Sequence, residues 1–166
     1  MRLYLIFLLL LQNCISQSKP TPEQSIRTER LFDVEKTIVS DNSKLFTTAE
    51  RETLAERLIA YETETTNQIV IITVDSITPY TDIQKYAADL GNTWAIGQKN
   101  TDNGLAIVVS DRLRKIGIAT GSGTEKILTD SICSCLIEST IIPQFRKDQY
   151  YRGISMGLDS LIDKWR

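Results

Sequence analysis

Two uninterrupted apolar runs constrain this chain more than anything else in it. Ile69-Val70-Ile71-Ile72 lies inside Gln68–Val74, and Leu105-Ala106-Ile107-Val108-Val109 comes later. Runs this short, bounded by turn signals, suit strands covered on both faces. Between them, Pro79-Tyr80-Thr81-Asp82 turns into a helical pattern through Ile83, Tyr86, Ala87, Leu90 and Trp94. The spacing therefore predicts a βαβ unit, expected to be right-handed. After the second run, Ser110 to Arg114 is a short polar connection. In Lys115 to Thr120, Ile116, Ile118 and Thr120 then alternate with Lys115, Gly117 and Ala119. That period of two predicts a hairpin partner for the preceding strand.

The remaining segments supply cover for such a sheet. Leu31 to Val39 reads as an irregular or edge strand, and Asp41-Asn42-Ser43-Lys44 as a turn. Thr47-Thr48-Ala49-Glu50 matches a capping box, opening a helix with Leu54, Leu58 and Tyr61 on one face and ending between Glu64 and Asn67. Ser131 to Ile142 is expected to be helical until Pro143 blocks continuation, and Pro143 to Gln149 to be a connection. Tyr150 to Trp165 closes the chain with Ile154, Leu158, Leu161, Ile162 and Trp165 along one stripe. Gly121-Ser122-Gly123 lacks the Lys and Ser/Thr ending of a phosphate loop and reads as a tight turn needing positive φ. The fold class that follows is α/β: a three-layer α/β/α sandwich whose small mixed sheet combines a βαβ unit and a hairpin, with helices on both faces.

The first residues stand apart. Arg2 precedes the apolar run Leu3 to Leu11, which has the length of a signal-peptide core and falls short of a bilayer span. Small residues at Cys14-Ile15-Ser16 place cleavage after Ser16, so that residues 1–16 are a signal peptide, 17–30 a polar mobile leader with Pro20 and Pro22, and 31–166 the folded domain. A rival reading makes Cys14 a lipidated N-terminus, since Leu11-Gln12-Asn13-Cys14 has the leucine of a lipobox. Either way the protein is exported, periplasmic or secreted in the first case and lipid-anchored in the second.

Composition then removes whole classes of chemistry. The chain has no histidine, which excludes His-ligated zinc and any Ser-His-Asp or Cys-His machinery. Without Arg2, 18 of the 19 basic residues remain against 21 acidic ones, and no basic patch is interleaved with aromatics. Nucleic acid is not an expected partner. Cys133 and Cys135 sit two apart in a helical segment, where they point in different directions; they read as small packing residues rather than a disulfide or metal pair.

What is left is oxygen chemistry. Asp41 lies in an early loop, Asp102 and Asn103 precede the second apolar run, Asp111 sits in the hairpin connection, and Asp130 at a helix start. Carboxylate and amide oxygens gathered at one end of a sheet are hard ligands suited to calcium or magnesium. The same residues also read as turn formers and caps, with Asp130 an N-cap, and no EF-hand spacing decides between the two.

Several stretches carry a resemblance to the TPM-domain family. They are Asp41 to Leu45 before a capped helix, Gln68 to Ser76, Tyr86-Ala87, Trp94 to Gly97, Asn103 to Leu105 and Arg114 to Ile118. Gly121 to Gly123, Leu128 to Asp130, Ile142 to Arg146 and Tyr150 to Ile154 continue it in order. The resemblance implies an exported or lumenal α/β sandwich, in a family whose plant members are described as thylakoid acid phosphatases and photosystem repair factors. Because some members bind calcium in loops at one end of the sheet, it also implies a divalent-cation site built from Asp41, Asp102, Asn103, Asp130 and Asp111. Two functions then compete. One is a cation-binding envelope accessory module that presents a surface to an envelope protein. The other is a metal-dependent phosphatase in which Arg114 or Arg146 pairs with phosphate oxygens. No transmembrane helix is expected in the mature chain.

Overall fold

The strands form where the apolar runs demand them. In the computed structural model, which describes Phe32 and residues 34–166, the sheet has four strands in the order β1-β2-β3-β4. These are β1 (Val39–Asp41), β2 (Gln68–Thr73), β3 (Gly104–Ser110) and β4 (Lys115–Thr120). The first three run parallel and β4 returns antiparallel to β3, with Ile107 opposite Ile118 and Val108 opposite Gly117. The mixed α/β sandwich expected from the sequence is therefore the observed fold. The signal segment and leader expected over 1–30 lie outside the described residues.

Helices cover both faces. The crossovers are α1 (Thr48–Thr65), between β1 and β2, and α2 (Ile83–Trp94), between β2 and β3. After β4 come the short α3 (Ser122–Glu125), then α4 (Asp130–Leu136), a π-helical turn at Ile137–Ile141, α5 (Ile142–Phe145) and α6 (Tyr150–Lys164). Leu54, Leu58 and Tyr61 of α1 and Ile154, Leu158 and Leu161 of α6 bury against Ile69, Ile71, Leu105, Ile107 and Ile118. Each such aliphatic side chain stabilises the fold by about 1.5–3 kcal/mol relative to exposure. On the opposite face, α2 carries Ala87 and Leu90 over Ala106 and Val108, with Phe32, Tyr80 and Tyr86 stacked edge to face beside them. The two crossovers step the same way across the sheet yet carry their helices on opposite faces. They have opposite hands, so only one of them obeys the right-handed rule.

Three expectations need correction. The edge strand occupies Val39–Asp41 rather than the described residues before it, and it runs on to Asp41, which pairs with Thr73. Pro143 does not end the helix. The preceding turn widens so that the Ile142 N–H reaches the Ile137 carbonyl five residues back, and Pro143 falls in the first turn of α5, where no N–H is required. The connection shrinks to Arg146–Gln149. Gly121 is also not a positive-φ residue; its φ is −69°. The glycines answer a different need: a Cβ at Gly121 would lie 2.3 Å from the Asp102 carbonyl oxygen, so backbone must pass against backbone there.

Candidate functional site

The acidic loops do not share one rim. Asp41 closes β1, at the C-terminal end of the parallel strands, whereas Asp102 and Asn103 lead into β3 at the opposite end. Gln68 and Thr73 mark those two ends of β2. At ~3.3 Å per residue they stand about 17 Å apart. A single pocket combining Asp41 with Asp102 does not form.

Local geometry explains what these residues do instead. Asp41 Oδ1 accepts from the Leu45 N–H at 2.9 Å and the Thr73 hydroxyl at 2.7 Å, and Oδ2 accepts from the Phe46 N–H at 3.0 Å. It ties the β1 loop to the approach of α1. Asp102, at φ 47°, accepts the Ser122 N–H at 2.7 Å and so clamps the loop before β3 to the start of α3. Asn103 is buried; its Oδ1 accepts from the Gln98 N–H, and its Nδ2 donates to the Thr66 carbonyl and to Asn67. It struts the N-terminal ends of β2 and β3 together. Asp130 is the first residue of α4, but the cap is Thr129, whose side chain accepts from the Ile132 N–H.

The other candidates do converge. A groove of about 710 Å³ runs beside β4, between the first turn of α2 and the wall formed by α4, the π turn and α5. That volume falls within the roughly 300–1,000 Å³ of small-ligand sites. Asp111, Asp130, Arg114 and Arg146 all line it. Asp111 opens the tight β3–β4 connection, where its carbonyl accepts from the Arg114 N–H and Arg114 sits at φ 51°. Among the described residues, two buried side-chain oxygens lack a hydrogen-bond partner: Asp111 Oδ1 and Ser43 Oγ. Both belong to loops that leave the C-terminal ends of parallel strands, where crevices of α/β sheets form.

Neighbouring groups set the electrostatics. Tyr150 lines the same end, and burial first, then the charges of Asp111 and Asp148, raise its phenol pKa, while Arg114 opposes them. Cys133 also faces the groove; burial, then Asp130, pushes its thiol up to about 11. Burial of this kind disfavours the thiolate, the form that attacks electrophiles and binds soft metals. Cys135 is exposed, so the two cysteines do point apart, and both are free. Residue-type reasoning missed Gln84, Tyr150 and the π turn. Only the last left a signal, a proline where a helix nevertheless continues.

A family model described as the TPM domain matches residues 39–164. The solution NMR structure of the N-terminal domain of a protein from P. gingivalis is similar over 82% of this chain and 85% of that one, with 27% identity and a TM-score of 0.69. The BA42 protein from the psychrophilic bacterium Bizionia argentinensis matches at 16% identity and a TM-score of 0.63, covering 75% of this chain and 88% of its own. The N-terminal domain of the cg2496 protein from Corynebacterium glutamicum matches at 10% identity and 0.61, covering 81% and 84%. At those identities the last two speak for the fold alone. No curated protein matches the chain.

Proposed function

The chain belongs to the TPM-domain family, and from that premise we propose an exported accessory module of the cell envelope that binds a divalent cation, calcium or magnesium, at Asp111. The supporting observation is the buried Asp111 Oδ1 without a hydrogen-bond partner. A hard anionic oxygen left free at the C-terminal rim suits a hard cation, whereas the oxygens of Asp41 and Asn103 already serve main-chain donors. Bound there, the cation would neutralise Asp111 and leave coordination positions open to water or to a partner's oxygens. Asp111 would hold it, and Asp130 would add negative charge to the same groove.

One observation favours a second reading. Arg114 and Arg146 line the groove with Asp111, an arrangement able to hold a phosphate monoester. Calcium titration followed by amide NMR and by melting temperature tests both. On the first reading calcium shifts the Asp111–Arg114 amides and raises the melting temperature, Asp111→Asn abolishes both effects, and Asp102→Asn abolishes neither. A melting temperature indifferent to calcium and magnesium refutes it. Turnover of a phosphate ester by metal-replete protein, lost in Arg146→Ser without unfolding, would favour the phosphatase. Intact-mass measurement of the exported protein separates cleavage after Ser16 from lipidation at Cys14.

A further inference from the structure

The register of the sheet leaves one edge open. Gly121 N–H donates to the Gly104 carbonyl, and Val74 N–H to the Val109 carbonyl. By strand alternation, Gly117 and Ala119 bond to β3, while the main-chain groups of Ile116, Ile118 and Thr120 point away from the sheet. Among the described residues, the outward groups of Ile116 and Thr120 have no bond to any other part of the chain. Ile118 is served differently. Its N–H donates to Gln84 Oε1 at 3.1 Å, and its carbonyl accepts from Gln84 Nε2 at 2.5 Å. One side-chain amide occupies the place of one peptide unit of a fifth strand.

We propose that this edge of β4 is a strand-addition site for an extended peptide carrying a carboxylate at the Arg114 end. Main-chain bonds to Ile116 would supply affinity, with displacement of Gln84 extending the ladder to Ile118. Alternate side chains would enter the groove against Ile116, Ile137, Ile142 and Phe145. Charge selects the occupant. Arg114 and Lys115 lead into β4, and Arg146 follows Phe145, whose ring meets Tyr150 at 4.9 Å. The groove's other carboxylates, Asp130 and Glu138, stand on α4 and the π turn, whereas at the start of β4 Asp111 is the one carboxylate in the hairpin loop, and neither Arg114 nor Arg146 forms an ion pair among the described residues. The inference rests on the open edge and does not need the cation.

The test uses the full mature chain in the presence of chelator, so that failure leaves the cation reading untouched. The probe is a heptapeptide alternating threonine and valine and ending in two aspartates, compared with a lysine-ended version. Binding is expected to slow amide exchange at Ile116 and to shift the Ile116 and Ile118 resonances. Gln84→Ala should tighten binding several-fold by removing the competitor. Ile116→Pro, which deletes an outward N–H and spares the bonds to β3, should weaken it roughly tenfold. The lysine-ended peptide, or the Arg114→Ser, Arg146→Ser double variant, should also bind several-fold more weakly. Absence of binding overturns the proposal, as does binding that neither Gln84→Ala nor Ile116→Pro alters. Sedimentation showing a dimer that Ile116→Pro dissolves would overturn it too, by making a second copy the occupant.

Discussion

Replacing Asp41 separates a structural carboxylate from a metal ligand more sharply than any other substitution. Asp41→Ala deletes three accepted hydrogen bonds: two from the main chain at Leu45 and Phe46, one from the Thr73 hydroxyl. Bonds to a charged acceptor contribute roughly 1.5–3 kcal/mol each, but Asp41 is only half-buried, and water can reach part of what is left unpaired. The expected loss is about 2–4 kcal/mol in urea unfolding. At roughly 3–5 °C per kcal/mol for a domain of this size, that lowers the melting temperature by about 6–20 °C. Asp41→Asn should fall between. Its oxygen can serve the Leu45 N–H and the Thr73 hydroxyl, but its amide then opposes the Phe46 N–H, donor against donor. Both losses should be the same with calcium and with chelator, because the carboxylate's work is done within the chain. The reasoning fails if Asp41→Ala melts within about 2 °C of the parent. It fails equally if calcium stabilises the parent and not the variant, which would return Asp41 to the list of ligands.

Two further outcomes follow from packing and burial. Gly153→Ala should cost about 1–3 kcal/mol, since its Cβ would lie 2.8 Å from the Phe145 ring and 3.1 Å from the Ile141 carbonyl oxygen, pressing α6 off the α5 wall; urea unfolding measures it. Alkylation of native protein near pH 8 should modify Cys135 and spare buried Cys133, as read by peptide mass mapping. Burial pushes Cys133 up to about 11 and Tyr86 up to about 12, the latter helped by Tyr80. Raised folded-state values favour the protonated forms, so this stabilisation is complete below about pH 9 and declines as pH rises through 11 to 12. Cys133→Ala should flatten the early part of that decline.

Periodicity carried the fold, and failed where a residue's role depends on a distant partner. Leu54, Leu58 and Tyr61, or Ile83 through Trp94, announce their helices because their spacing is itself the cause of burial. Thr47 and Glu50 announce a cap because both halves of the bond lie within four residues. Asp102 and Asn103 do not work that way. Asp102 meets Ser122 twenty residues on, and Asn103 meets Thr66 thirty-seven residues back. In the sequence, an oxygen that will accept a remote N–H looks the same as one that will hold a cation.

Gln84 was invisible for a related reason. It reads as one more polar residue in the first turn of a helix, and its bond to Ile118 exists only once α2 lies across the sheet. The same topology makes the groove. After β4 the chain turns into α3 and α4 instead of adding a strand, so the helical segment from Asp130 to Phe145 stands beside the edge rather than bonding to it. An exposed edge is a hazard that folds usually cover or charge. Among the described residues the cover is a single amide over Ile118, and the charge is Lys115, whose ammonium is held by the Thr81 carbonyl at 3.0 Å. Among the described residues, Ile116, between them, keeps its outward groups free. A β4 edge shielded only against solution aggregation would gain from a second blocking side chain at Ile116. Its absence beside a formed groove is what makes the strand-addition test the more informative experiment on this surface.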